Sequence, residues 1–215
     1  LEERRVTDPN PDDMARRIEI ERRIALILSW NVGNEERRQY LRLRCDLKVR
    51  VRVGEQVRLG TVADIGAGSG WFTIRLARRV GPQGLVYAED VQPEMISMLQ
   101  AGIKRNGLTQ IEAQLSGVDD VKLPASSLDL AIMVDVYHEL AYPYEVMSSV
   151  MKALRPGGRV VFVEYKAEDP LVPIKQLHKM SEAQIKREAA VFALDWERTV
   201  STLPWQHVVV FRKRE

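Results

Sequence analysis

Val62-Ala63-Asp64-Ile65-Gly66-Ala67-Gly68-Ser69-Gly70, followed by the apolar and basic run from Trp71 to Val80, is the stretch that decides the fold. Val62 to Ile65 suit a short buried strand, and Phe72, Ile74, Leu76, Ala77 and Val80 supply the core side of a following helix. Between them the chain turns on glycines at alternate positions. Glycine tolerates backbone angles closed to other residues and lets a ligand approach without meeting a Cβ. The helix start then presents NH groups with no partner inside the helix. Strand, glycine turn and helix start together predict a cofactor site that holds a polar or anionic group.

Spacing narrows the cofactor. A dinucleotide fingerprint places its third glycine three positions after the second, where this chain has Trp71, too large for close approach of a pyrophosphate. The pattern Asp64-x-Gly66-x-Gly68-x-Gly70 instead resembles the first motif of the class I S-adenosylmethionine-dependent methyltransferases, which wraps the methionine end of the cofactor. That resemblance implies cofactor-binding roles for Asp64, Gly66, Ala67, Gly68 and Gly70.

A second apolar run, Leu85 to Ala88, ends in Glu89 and Asp90 and leads through Val91 and Gln92 to a helix-starting Pro93. A carboxylate at such a strand end can accept both ribose hydroxyls, so Asp90 is the predicted ribose ligand, with Val91 beside it and Glu89 pointing the other way. An acid three positions before a proline also resembles the family's second motif. In the third motif an acid directly after a glycine receives the adenine amino group. Here Gly117 is followed by Val118, and Asp119 or Asp120 would have to serve.

The apolar run Leu128 to Val134 leads into Asp135-Val136-Tyr137-His138-Glu139, at the sheet edge where open α/β folds bind ligands. These residues resemble the family's fourth motif and are expected near the transferred methyl group, Asp135 on the cofactor side. His138 is the candidate general base, because imidazole accepts protons near neutral pH, and Tyr137 the residue that orients the acceptor. His207 is a second candidate base, and Trp71 can pack on the cofactor. Further on, Val146 to Leu154 reads as a helix, Arg155 to Arg159 as a turn and Val160 to Glu164 as a strand, resembling the methyltransferase order before its fifth strand. Ser181-Glu182-Ala183-Gln184 is a capping box, predicting a helix to about Phe192. Val208 to Phe211 reads as the last strand.

The resemblance covers roughly Thr61 to Lys213 and comes nearest the quinone-biosynthesis and type 11 branch of small-molecule enzymes. It implies an α/β fold: a Rossmann-like, seven-stranded, mostly parallel sheet with helices on both faces. Residues 60–215 would form the S-adenosylmethionine-binding methyltransferase domain and 1–59 an N-terminal helical and strand extension. The implied reaction is methyl transfer from S-adenosyl-L-methionine to a small-molecule acceptor by in-line displacement. The acceptor and the oligomeric state are left open.

Composition bounds the alternatives. With 215 residues, 45% of them hydrophobic, the chain can bury one sizeable core. A net charge of +2 gives no global electrostatic case for nucleic acid. One cysteine, Cys45, excludes an intramolecular disulfide and argues against the arsenic methyltransferases, which depend on several. The three histidines, His138, His178 and His207, are far apart in sequence, and no metal is predicted. No run is long and apolar enough for a membrane span, so a cytoplasmic location is expected. The start at Leu1 leaves room for an export signal upstream.

In the extension, Asn10 and Pro11 suit a helix start, and Met14, Ile18, Ala25 and Leu28 form an apolar stripe that could serve as a substrate lid. From Leu41 to Val53 apolar and polar residues alternate, predicting a strand with a basic face formed by Arg42, Arg44, Lys48, Arg50 and Arg52. That face would be solvated, at an added sheet edge, or would serve one of two alternative functions: a noncatalytic cofactor-binding or regulatory module, or an RNA methyltransferase with a phosphate track. Against the latter, the chain lacks the Asn-Pro-Pro-type motif of base methylation after its fourth strand.

Overall fold

Parallel strands covered on both faces need nearly continuous apolar sequence. Thr61–Ile65 (β3), Leu85–Asp90 (β4), Leu128–Val134 (β6) and the second half of Leu154–Lys166 (β7) supply most of it, while the edge strand Ile111–Leu115 (β5) alternates apolar and polar residues, and all five pair in parallel. The computed structural model describes residues 60–215 in full, and the backbone alone of 50–53 and 56–59. Arg50–Val53 (β1) and Gln56–Leu59 (β2) form an antiparallel hairpin, Arg50 opposite Leu59 and Val53 opposite Gln56. The alternation that ends at Val53 is thus a strand over its last four residues. It pairs within this hairpin and not as an edge strand of the large sheet. Its earlier residues, and the helix expected after Asn10, lie outside the described residues.

The large sheet runs β5-β4-β3-β6-β7-β10-β9, with Leu194–Val200 (β9) and Gln206–Lys213 (β10) antiparallel at one end. Seven strands were expected and eight are found. The addition is the two-residue Lys179–Met180 (β8), which pairs in parallel with β7 past the end of β6. Alternate side chains assign the faces. Val62, Val86, Ile132 and Val161 pack with Trp71–Val80 (α1) and Pro93–Asn106 (α2). Ala63, Tyr87, Met133 and Phe162 pack with Pro143–Ala153 (α3) and Glu182–Ala189 (α4). Helices therefore cover both faces.

Strand order reverses at β3, whose neighbours are β4 and β6. In such sheets the crevice at the carboxyl ends beside the reversal is where ligands bind. The turn before β7 is a correction to the expected Val160 start: β7 begins at Leu154, and Pro156 to Gly158 bulge out, so that Leu128 faces Leu154 while Leu130 faces Arg159. Helix α4 ends at Ala189, short of Phe192, because the chain turns there and the Phe192 ring stacks on Tyr144 at 5.5 Å.

The capping box is formed in part as expected, Ser181 Oγ accepting from Gln184 N–H at 3.1 Å. Ser181→Ala should cost about 1 kcal/mol, a fall of about 2–4 °C in Tm, while Ser181→Asp retains most of the stability. Equal melting of Ser181→Ala and wild type would assign the helix to the packing of Ile185 and Ala189 alone.

Candidate cofactor and acceptor site

Gly66, Gly68 and Gly70 all take left-handed angles, φ 69°, 54° and 85°. At Gly66 a Cβ would sit 2.6 Å from Val136 Cγ2, and at Gly70 2.3 Å from Leu99 Cδ1. The loop is tied to the end of β4: Ala67 N–H donates to the Glu89 carbonyl at 2.9 Å, and Gly68 N–H to Asp90 Oδ2 at 2.9 Å. Around Gly68 the space where a Cβ would lie is open. This is a cradle that a ligand can enter down to the main chain.

Beside it lies a cavity of about 330 Å³ walled by Gly66, Asp90, Val91, Ser116, Val118 and Val136, with Glu89, Gly117 and Glu139 also contributing. The volume suits a nucleoside-sized ligand. Asp90 is nearly buried and also accepts from Gln92 N–H at 2.9 Å. Each of its oxygens keeps a second acceptor position. Glu89, expected to point away, lines the same cavity from the other face of β4. Burial pushes its carboxyl up to about 7, the Ser116 hydroxyl and Gly66 amide offsetting part of this.

Several expected ligands do not line the cavity. Asp64 is buried and accepts from Thr73 Oγ1 at 2.5 Å, which fastens β3 to α1; burial raises its pKa to about 7. Asp119 and Asp120 are exposed, Asp120 accepting from Lys122 N–H, and the wall at that edge is made by Ser116 to Val118. Asp135 takes φ 53° and directs both oxygens to Gln206 Nε2 at 2.8 Å, leaving Val136 to face the cavity. Tyr137 is a core residue: its ring lies edge-on to Phe162 at 4.8 Å and its hydroxyl meets Glu188, burial and that carboxylate raising its pKa. An acceptor-orienting role does not fit that position. Trp71 is on the surface under the Arg75 guanidinium, and His207 is buried in β10, where burial lowers its pKa.

His138 stands on the short turn Tyr137–Glu139 after β6, between Val136 and Glu139, both of which wall the cavity. Its Nδ1 lies 2.6 Å from Oε2 of the fully buried Glu164, and Glu164 Oε1 accepts from Tyr137 N–H at 2.9 Å. A carboxylate in that place favours the ring proton on Nδ1 and leaves the Nε2 lone pair toward His178 and Glu139. Burial alone would lower the His138 pKa; the hydrogen bond and charge of Glu164 outweigh it and raise it. Neither Glu164 nor His178 was singled out from sequence. An acid closing the apolar run of β7 was the available signal for Glu164. For His178 there was none, because it arrives through β8: Lys179 pairs with Tyr165, which sets the preceding His178 alongside Glu164 and His138. His178 Nδ1 lies 3.3 Å from His138 Nε2 and 3.1 Å from Glu139 Oε1. The separation in sequence that argued against a metal does not hold in space.

Among known proteins, the chain is 32% identical over 100 residues to the arsenite methyltransferase of Halobacterium salinarum, covering 46% of this chain and 26% of that protein. It is 30% identical over 130 residues to the ubiquinone/menaquinone biosynthesis C-methyltransferase of Methylococcus capsulatus, covering 60% and 50%. The chain thus spans half or less of the length of these two relatives. Its fold is similar to that of a SAM-dependent methyltransferase from Aquifex aeolicus, with a TM-score of 0.68 and 24% identity over 72% of this chain and 82% of the other. Residues 58–207, most of the chain and all of the loop, cavity and histidine turn described above, match the family described as a methyltransferase domain, and the chain belongs to that family, within the class I S-adenosylmethionine-dependent methyltransferases.

Proposed function

We propose that this chain transfers the methyl group of S-adenosylmethionine to a small-molecule acceptor. The observation that carries the reading is the cavity at the strand-order reversal, walled by Gly66 of the glycine loop, by Asp90, which ties down the Gly68 amide, and by Glu139, next to His138. When bound, the cofactor supplies an activated methyl on a sulfonium, which an acceptor nucleophile takes as the C–S bond breaks and its electron pair stays on sulfur. The protein's part is alignment and exclusion of water, which can supply several kcal/mol. Gly66 and Gly68 admit the ligand to the main chain, Asp90 receives the ribose hydroxyls, and Ser116 to Val118 face the base. His138 is the acceptor-side residue, acting through Nε2, with Glu164 as its positioning residue. The relatives' names, for arsenite and for ubiquinone/menaquinone, support an acceptor of small size. The single cysteine disfavours arsenite here, and the net charge of +2 gives no global electrostatic case for RNA.

Calorimetric titration with S-adenosylmethionine, S-adenosylhomocysteine and NAD tests the site. Saturable one-site binding of the first two, and none of NAD, is the expected result. Failure of both sulfur ligands to bind the folded chain would sink the proposal.

A further inference from the structure

Three potential ligand atoms converge around Glu139, itself a residue of the cavity wall: His138 Nε2, His178 Nδ1 and Glu139 Oε1. Their separations are 3.3 Å between the two nitrogens, 3.6 Å from His138 to Glu139 and 3.1 Å from His178 to Glu139. Ligands bound tetrahedrally at about 2.0–2.1 Å lie about 3.3–3.4 Å apart, so the three atoms already sit near the corners of one face of such a site. The outer contact is also in place. Metal-ligating histidines characteristically give their other N–H to a carboxylate, and His138 Nδ1 meets Glu164 at 2.6 Å. Exposure grades outward, the His138 and Glu164 side chains being 7% and 0% exposed, His178 36% and Glu139 58%. The anchored ligand is thus at the bottom, and the side away from Glu164 is open.

We propose that His138, Glu139 and His178 form a binding site for a zinc-class divalent cation. Two imidazoles and one carboxylate suit zinc and its neighbours better than magnesium or calcium, which prefer all-oxygen shells. Three protein ligands with a fourth position open is the arrangement of a catalytic site, not of a closed structural one. Resting on the methyl-transfer reading, the fourth position takes the acceptor's oxygen or sulfur and lowers the pKa of that atom. The acceptor's proton then leaves to water, since the Nε2 lone pair is committed to the cation. A second consequence is selection: acceptors with an ionisable oxygen or sulfur are favoured over unactivated carbons.

The test uses the full chain, stripped with chelator and titrated calorimetrically with Zn²⁺, with S-adenosylhomocysteine titrated in parallel. One equivalent of Zn²⁺ should bind. His178→Ala, a change on a partly exposed turn, should weaken binding at least about 100-fold, and Glu164→Gln about 10–100-fold, both with S-adenosylhomocysteine affinity within about twofold of wild type. Co²⁺ should give intense tetrahedral visible bands in wild type that are absent from His178→Ala. No Zn²⁺ uptake by wild type, or equal uptake by His178→Ala, would overturn the metal site, and His138, Glu139 and His178 would then be a hydrogen-bonded chain only. Zn²⁺ binding without S-adenosylhomocysteine binding would retain the metal site and remove the methyl-transfer reading. The reverse pattern would do the opposite.

Discussion

Asp90→Ala is expected to weaken S-adenosylhomocysteine binding by two to three powers of ten. A carboxylate that accepts from two ribose hydroxyls makes hydrogen bonds of about 1.5–3 kcal/mol each, and about 3–4 kcal/mol in all corresponds to that range of affinity. Asp90 has a second task, however. It holds the Gly68 and Gln92 amides at 2.9 Å each, so its removal also loosens the glycine loop. Affinity loss in the single variant therefore mixes contact with loop order. A cycle separates them: S-adenosylhomocysteine and its 2′-deoxy counterpart are titrated against wild type and Asp90→Ala. In wild type the deoxy ligand should bind about tenfold or more weakly, and in Asp90→Ala the two ligands should bind alike. An equal penalty for the deoxy ligand in both proteins would remove Asp90 from the ribose site and leave it as a loop tie.

That double role shows what the sequence could and could not convey. The glycine spacing, the acid at the end of β4 and the apolar runs are local features, and each maps to the place that local chemistry requires. The adenine edge, Asp135 and Tyr137 were read by position in a motif, and position does not say which way a side chain turns. Asp135 takes φ 53° and faces Gln206, 71 residues away; Tyr137 turns into the core against Phe162. The same alternation that places Asp90 on one face of β4 puts Glu89 on the other. The cavity nevertheless reaches both, because it sits at the strand ends where the two faces meet. His178 was the least legible. A two-residue strand has no period to detect, and only its register on β7 brings that histidine within 3.3 Å of His138.

The two halves of the site also differ in how they are held. The proposed cofactor side is main chain: the glycine loop, a strand end and the Asp90 tie. The proposed acceptor side is a set of side chains, His138, Glu139, Glu164 and His178, on β7 and two short turns, so substitutions there should leave the glycine loop intact.

The cradle itself should fail in a graded way. Gly66→Ala is expected to lower stability by about 2–5 kcal/mol and to abolish measurable cofactor binding. The left-handed angle costs a side chain about 1–2 kcal/mol, and a Cβ 2.6 Å from Val136 Cγ2 and 2.7 Å from Cγ1 adds an overpacking penalty of about 1–3 kcal/mol. Val136 cannot swing clear cheaply, because a β-branched side chain has few rotamers, and any shift moves the cavity wall it forms. The fall in Tm should be about 5–15 °C for a chain of this size. Gly68→Ala is the contrast. Its φ of 54° carries the angular cost, but nothing lies within 4 Å of the new Cβ. Its stability should drop by only about 1–2 kcal/mol, while the methyl enters the open space beside the loop, and affinity should fall at least tenfold. Thermal unfolding and S-adenosylhomocysteine titration of both variants read the two effects separately. If Gly68→Ala binds as wild type does, the open face of the loop is not the ligand's approach, and the cofactor must be held from the Asp90 side alone.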